Sequence, residues 1–162
     1  MHIKVDTGMH RIGVAHHKAY DFIKGIADLS NIKIEGLFTH LPCADTKPYF
    51  TNTQIEIFQR LIQRLERVGI HIPLRHISNS LGVINYPYGH FNMVRPGLMI
   101  YGLHPGGRVR VGLKALLSLK TRVVYIKEVP QGWGISYGHT FLTPKKMRIA
   151  TLPVGYGDGY FR

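Results

Sequence analysis

The sequence predicts an α/β fold, with half of a (β/α) barrel over residues 1–112 followed by the beginning of an all-β domain over residues 113–162. The first observation is that short apolar strands alternate with helical patterns through the first two-thirds of the chain. This alternation favours parallel pairing through right-handed crossovers. The second is a break at His104-Pro105-Gly106-Gly107, after which no long helical pattern recurs.

Three elements are predicted before residue 40. Ile3 to Val5 is an apolar strand that runs into a turn at Thr7-Gly8. Apolar residues between Lys18 and Leu29 recur on one face of a helix. Ile32 to Thr39 is a second strand, and Gly36 within it indicates that a neighbouring group comes close.

The clearest helical pattern follows. Thr53-x-x-Glu56 has the form of a capping box, so we expect the helix to begin there. Gly69 is expected to end it. The apolar side chains form one stripe at helical spacing: Ile55, Phe58, Leu61, Ile62, Leu65 and Val68.

Two more strands complete the first region. We predict them at Leu74 to Ile77 and at Met93 to Tyr101, with a short helical turn from Leu81 to Tyr86 between them. A half barrel of about four strands would leave open sheet edges, which proteins normally avoid. We therefore expect further barrel strands upstream, and poor solubility for this chain by itself.

Beyond the break, three segments are rich in residues that favour strands. They are Leu116 to Val129, Ile135 to Phe141 and Arg148 to Val154. We interpret them as a second, all-β domain that has only begun.

Charge and composition limit the classes of function. The net charge is +12, but lysine and arginine are dispersed, with small local groups at Arg108–Arg110 and Lys145–Arg148. A nucleic-acid-binding arm is therefore not expected, whereas anionic small molecules are plausible partners. No apolar run is long enough for a membrane span. The single cysteine, Cys43, excludes an internal disulfide and fits a reducing cytoplasm.

Polar residues follow the predicted strands, where ligands gather in parallel α/β proteins. Arg11 follows the first strand and His40 the second, while the third is followed by His76-Ile77-Ser78-Asn79-Ser80. The fourth carries Arg95-Pro96-Gly97, followed by Leu98. These residues are candidates for one site.

Each candidate also has a structural interpretation. Ser80 with the backbone N–H groups at Gly97 and Leu98 would make a phosphate site, but Ser-Asn-Ser is also typical of a helix N-cap. Arg95, predicted to be buried, needs a partner or a ligand. His40 and His76 would lie on neighbouring strands and could bond to each other or to Arg95, which favours a site over two isolated structural histidines.

Two other patterns are set aside. His40-x-x-Cys43 would supply only part of a zinc site, which needs four ligands, so no metal is expected. Gly155-Tyr156-Gly157-Asp158-Gly159 lacks the Lys-Ser/Thr ending and the following helix of a nucleotide-binding loop.

Six motifs, in order and with matching spacing, resemble those of the alanine racemase family over essentially the whole chain. They are Lys4 to Val14, Gly36 to His40, His76 to Ser80, Phe91 to Gly97 with Tyr101-Gly102-Leu103, Ile135 to Thr140, and Pro153 to Tyr160. His10 stands where the family commonly has glycine, and Pro42-Cys43 differs from the family's small-residue loop.

The resemblance implies the C-terminal half of a (β/α)8 barrel, then the start of the β domain, in a head-to-tail homodimer that binds pyridoxal phosphate. It places the phosphate on Ser80, Gly97 and Leu98. It places Arg95 against the pyridine nitrogen, backed by His76 and His40. The remaining implied roles are Arg11 near the cofactor's phenolic oxygen and the substrate carboxylate, Lys4 as the carbamylated lysine, Tyr137 as the catalytic tyrosine in the partner's site, and Tyr156 at the substrate access.

The implied reaction is interconversion of L- and D-alanine at an aldimine of pyridoxal phosphate, by proton transfer between tyrosine and the cofactor lysine. That lysine lies upstream in the family, before Ala-Asn-Ala-Tyr-Gly-His-Gly, and no such motif occurs in this chain. The family's downstream Met-Asp pair and second active-site tyrosine are also missing. We therefore expect this chain alone to be an inactive fragment.

Three functions remain open at this point. The first is an amino-acid racemase, with alanine as the family's usual substrate and serine as an alternative. The second is a relative that binds the cofactor or a partner subunit without catalysis. The third is a basic nucleic-acid-binding module, which would show steeply salt-dependent retention on DNA.

Overall fold

The computed structural model describes residues 1–106 and 111–161. The chain divides into two compact units, Met1–Leu116 and Leu117–Arg162. The basic group at 108–110 lies outside the described residues. No helix in the described ranges is both long and apolar enough to cross a membrane.

The first unit contains a four-stranded sheet in which every pair of neighbours is parallel. Its strands are β1 (His2–Asp6), β2 (Val14–Ala15), β3 (Gly36–Phe38) and β4 (Leu74–His76), in the order β2-β1-β3-β4. The predicted parallel α/β arrangement is confirmed. The carboxyl ends of β1, β3 and β4 therefore lie along one edge, where the candidate residues begin.

Two amphipathic helices cover one face of this sheet. They are α1 (His16–Ala27) and α2 (Pro48–Glu66). Ile3 and Val5 of β1 and Leu37 of β3 are buried against them. The predicted stripe is confirmed for the five buried members of α2: Ile55, Phe58, Leu61, Ile62 and Leu65. Because strand residues alternate between faces, Lys4 and Asp6 point to the other side of the sheet.

The predicted start of the long helix is wrong. The helix begins at Pro48. Proline suits the first turn of a helix, because the backbone N–H groups there have no partner within the helix and the one that proline lacks is not needed. Thr53 lies inside, and its hydroxyl donates to the Tyr49 carbonyl at 3.0 Å. The predicted end is confirmed, because Gly69 adopts a left-handed φ of 79° three residues after Glu66.

The strand predicted from Met93 to Tyr101 is also wrong. Arg95 N–H donates to the Ser78 carbonyl at 2.9 Å, but Pro96 has no N–H with which to continue a ladder. The chain instead turns into a 3₁₀ helix over Leu98–Tyr101. The short helix predicted near residue 81 is present as α3 (Ser80–Asn85).

The second unit is built from short antiparallel pairs. β5 (Tyr125–Val129) pairs with β8 (Met147–Thr151), and β6 (Gly134–Ile135) pairs with β7 (Phe141–Leu142). The expected β-rich character is confirmed. The β-rich segment from Ile135 to Phe141 forms a hairpin, in which the 3₁₀ turn Tyr137–His139 connects β6 and β7.

Candidate functional site

One cross-strand row on the face opposite the helices leads to the site. The register places Lys4 of β1 beside Phe38 of β3, and Phe38 beside His76 of β4. The Phe38 and His76 rings are stacked, with centroids 5.0 Å apart and planes 11° apart. This row supports Arg95, which reaches it from the segment after α3.

Arg95 contacts three groups of this face. Its Nη1 donates to His76 Nδ1, and its Nη2 donates to the Thr39 carbonyl at 2.8 Å and lies 3.5 Å from His40 Nδ1. The guanidinium carbon lies 5.3 Å from the Phe38 ring centroid. None of these partners is an acid, so the positive charge of Arg95 is held in place without being neutralised.

Burial and cations keep the two histidines neutral. Burial first, then the charge of Arg95 and the ring of His2, lower the pKa of His76 from 6.5 to about 4. Burial, then Arg95, Arg11 and Lys4, also lower the pKa of His40. Both rings therefore act as neutral acceptors at pH 7, and the net charge of the cluster is positive.

This arrangement predicts that acid begins to destabilise the fold below pH 6.5, before most carboxylates titrate. The folded state resists protonation of His76, so the unfolding free energy falls as pH decreases from 6.5 to about 4. Complete titration would remove roughly 3 kcal/mol, and His40 acts in the same direction. Urea unfolding at pH 7 and pH 4.5 measures the loss. A His76→Gln variant should lose less between these pH values, and an equal loss would contradict the assignment.

Ser80 and Gly97 form a second part of the site. The predicted helix N-cap is Asn79, whose side chain accepts from Gly82 N–H at 2.9 Å. Ser80 is thus not needed as the cap, and its buried Oγ accepts from Gly97 N–H at 2.9 Å. A cleft of about 290 Å³ opens here, lined by His40, Asn79, Ser80, Leu81, Arg95, Gly97, Leu98 and Pro105.

Gly97 offers a test of whether this cleft takes a ligand. A Cβ at Gly97 would meet nothing within 4 Å, so the cleft has room for a side chain there. Gly97→Val should therefore change the melting temperature little, yet reduce affinity for a phosphate-bearing ligand about tenfold or more by filling the cleft. Calorimetric titration measures the affinity. Gly112→Val, in equally open space, is the control, and equal affinities would contradict a ligand role for Gly97.

Lys4, Asp6 and Arg11 lie around the turn after β1. Lys4 Nζ donates to the Ile12 carbonyl at 2.7 Å, and its pKa is lowered by burial and by Arg11 and Arg95, against the attraction of Asp6. The Asp6 carboxylate accepts N–H bonds from Gly8, Met9 and His10. Burial raises the pKa of Asp6, but the N–H bonds from His10 and Gly8, together with the contact of the His10 ring, outweigh burial and lower this pKa. Arg11 is exposed beside this turn.

The same turn accommodates His10 at a position where the family commonly has glycine. His10 has a φ of 56°, in the left-handed region that favours glycine. Its N–H and its ring Nδ1 both contact the Asp6 carboxylate, at 3.0 and 3.2 Å. These contacts compensate for the strained backbone immediately before Arg11.

Tyr137 and Tyr156 lie in the second unit, whereas the other candidate residues lie in the first. Tyr137 is 81% exposed, on a turn where Ser136 and His139 have positive φ values of 61° and 47°. Strained non-glycine residues of this kind concentrate at functional sites. Tyr156 is 65% exposed and begins a 3₁₀ turn in which Asp158 accepts from Gly155 N–H.

Sequence reasoning missed several residues that support the site. Gln54 of α2 is fully buried and donates to the Thr7 hydroxyl at 3.0 Å and the His40 carbonyl at 3.2 Å. The Thr7 and Thr39 hydroxyls lie 2.7 Å apart. His2 contacts His76. A polar residue at a core position of the α2 stripe was a signal that could have indicated Gln54.

A larger cavity of about 740 Å³ lies elsewhere in the first unit. Its lining includes Asp45, Asn52, Tyr86 and Tyr88, and the Tyr88 hydroxyl already donates to Asn52. No cationic side chain among the described residues lines this cavity, whereas the smaller cleft combines a cation, Arg95, with the neutral His40 and a serine, Ser80. We assign the site to the smaller cleft for that reason.

Fold and site together define an α/β protein with a positively charged cleft at the carboxyl ends of parallel strands. The N-terminal domain of alanine racemases matches residues 1–105, and their C-terminal domain matches residues 116–162. The chain belongs to the alanine racemase family.

Similar proteins cover the whole chain. An alanine racemase of Halothermothrix orenii is 50% identical over 165 residues, and one of Methanococcus maripaludis is 46% identical over 167. Both alignments include 100% of this chain but only 44% and 45% of the relatives' lengths. The solved structure of alanine racemase from Clostridium difficile matches 99% of this chain and 44% of its own, with a TM-score of 0.82 and 36% identity.

Proposed function

We propose that the protein carrying this chain interconverts L- and D-alanine with pyridoxal phosphate, as an amino-acid isomerase. The first unit would be the C-terminal half of a (β/α)8 barrel, and the second the start of the β domain. The observation that carries the proposal is the cleft in which Ser80, Gly97 and an unneutralised Arg95 meet. The single cysteine fits a cytoplasmic setting.

The residues of the cleft fit the cofactor. Ser80 Oγ and the N–H groups of Gly97 and Leu98 would hold the phosphate, and the open space at Gly97 leaves room for it. Arg95 would face the pyridine nitrogen, backed by neutral His76 and His40. When bound, the cofactor supplies a ring that withdraws electrons and makes the alanine Cα proton acidic.

Other residues of the chain would position the substrate and move the proton. Arg11 would bind the alanine carboxylate, and its charge would favour the phenolate form of Tyr137. Tyr137 would act in the partner's site of a homodimer, and Tyr156 would line the substrate access. Lys4 is the candidate for carbamylation, and its lowered pKa favours the neutral amine that reacts with carbon dioxide.

A second candidate is a relative that binds pyridoxal phosphate or a partner subunit without catalysis. The lysine that distinguishes the two candidates would lie upstream of these 162 residues. The nucleotide sequence upstream of the Met1 codon bears on this choice. An in-frame strand that ends in lysine would favour the racemase, and a reading frame without one would favour the second candidate.

The direct test uses the protein translated from the complete reading frame that contains this chain. It is incubated with pyridoxal phosphate and L-alanine, and D-alanine is measured by chiral chromatography. We expect sustained formation of D-alanine by that protein and none by residues 1–162 alone. Cofactor binding without turnover would favour the second candidate, and turnover by residues 1–162 would contradict the need for an upstream lysine.

A further inference from the structure

A series of side-chain contacts runs from Arg95 through two histidines to Glu35, the residue before β3. Arg95 Nη1 donates to His76 Nδ1, and the other nitrogen of His76, Nε2, lies 3.0 Å from His2 Nδ1. His2 Nε2 lies 3.9 Å from the Glu35 carboxylate. His76 is 3% exposed, whereas the side chains of His2 and Glu35 are 30% and 62% exposed.

Arg95 and His2 together fix the proton positions in this series, because Arg95 lies at one ring nitrogen of His76 and His2 lies at the other. A guanidinium can only donate, so His76 Nδ1 must accept and neutral His76 must carry its proton on Nε2. That proton is donated to His2 Nδ1, which leaves the His2 proton on Nε2, facing Glu35. His2 protonated on both nitrogens would oppose the Nε2–H of His76 and break the bond.

The fold provides a fitted place for the His2 ring. His2 is opposite Gly36 in the β1–β3 register, and a Cβ at Gly36 would come within 2.4 Å of His2 Nδ1. The ring centroids of His2 and His76 are 5.2 Å apart. Gly36 therefore makes room for the neighbour that the sequence predicted, and the neighbour is His2.

We propose that His2 is a positioning residue, which holds His76 as its Nε2–H tautomer so that the Nδ1 lone pair orients Arg95 in the cleft. Without His2, the buried Nε2–H would lose its acceptor, and the His76 ring would no longer be fixed. The consequence for catalysis rests on the proposed function, because Arg95 would then lose its fixed direction towards the cofactor.

The structural step is tested without activity. Ring-nitrogen NMR of ¹⁵N-histidine protein from the complete reading frame should show His76 as a single Nε2–H tautomer at pH 7. His2→Phe, which fills the space without an acceptor, should give two tautomers, and so should Gly36→Ala. His2→Gln, whose amide oxygen can accept, should restore one tautomer, and the exposed His71→Phe is the control. An Nδ1–H tautomer in the unmodified protein, or one unchanged tautomer in both His2→Phe and Gly36→Ala, would overturn the proposal.

The catalytic step is tested by kinetics of the same variants with pyridoxal phosphate. His2→Phe should lower kcat about tenfold, the effect of one lost hydrogen bond, with KM changed less than about twofold, and His2→Gln should recover most of it. Altered tautomers with unchanged kcat would overturn the positioning role. A protein that shows the tautomer pattern but neither binds the cofactor nor racemises alanine would contradict the proposed function and leave the tautomer assignment standing.

Discussion

Tyr137→Phe is expected to lower the racemisation rate of the protein from the complete reading frame by about 10²–10⁴-fold, the usual contribution of a general acid or base. The substitution removes only a hydroxyl from a side chain that is 81% exposed in this chain, so the fold should tolerate it. The change in kcat, measured by chiral chromatography, therefore reports chemistry. Tyr125→Phe, at a similarly exposed tyrosine on β5, is the matched control.

The two-base scheme makes a sharper prediction for the same variant. If two bases act on opposite faces of Cα, removing one leaves proton exchange intact for one alanine enantiomer. Mass spectrometry in D₂O should show deuterium entering one enantiomer at nearly the normal rate and the other far more slowly. Equal slowing for both would show that Tyr137 does not act on one face, and unchanged rates would exclude it as a catalytic residue.

The periodicity of apolar residues predicted much of the fold. It failed at the start of α2 and at residues 93–101, where local backbone chemistry and tertiary contacts decide the structure. The stripe from Ile55 to Leu65 is spaced for a helix and lies buried in one. The start of that helix was missed because a Thr-x-x-Glu pattern inside a helix looks the same as one at its beginning. Met93 to Tyr101 has the apolar content of a strand, yet Pro96 leaves no donor for a ladder.

The site residues that follow strands in the sequence were predictable. The residues that contact them without lining the cleft were much less so. Arg95 contacts His76 and lines the cleft with Ser80, although the strand predicted to carry Arg95 does not form. His2 was missed although it precedes Lys4 by two residues, so strand alternation places both on one face. Gln54 was missed because only the fold shows that α2 reaches Thr7. Tyr137 and Tyr156 rest on motif resemblance alone, since spacing says nothing about contacts in a dimer.

Arg95→Gln is expected to have the other large effect, on both stability and cofactor binding. The substitution removes the charged donor to His76 and to the Thr39 carbonyl, and charge-assisted hydrogen bonds contribute about 1.5–3 kcal/mol each. It also removes the second-largest cause of the lowered His76 pKa, so this pKa should rise from about 4 part of the way to 6.5. Burial, the largest cause, remains and keeps the rise incomplete.

Three measurements separate charge from geometry at this position. NMR titration follows the His76 pKa, urea unfolding follows stability, and absorbance titration follows pyridoxal phosphate affinity, which should fall about tenfold or more. Arg95→Lys keeps the positive charge but loses the planar fork that bonds two acceptors at once. Arg95→Lys should therefore leave the His76 pKa low but lower the affinity for pyridoxal phosphate. Arg122→Gln, in the second unit, should change neither this pKa nor this affinity. If Arg95→Gln leaves both the His76 pKa and cofactor affinity unchanged, Arg95 neither sets the charge of the cleft nor faces the cofactor.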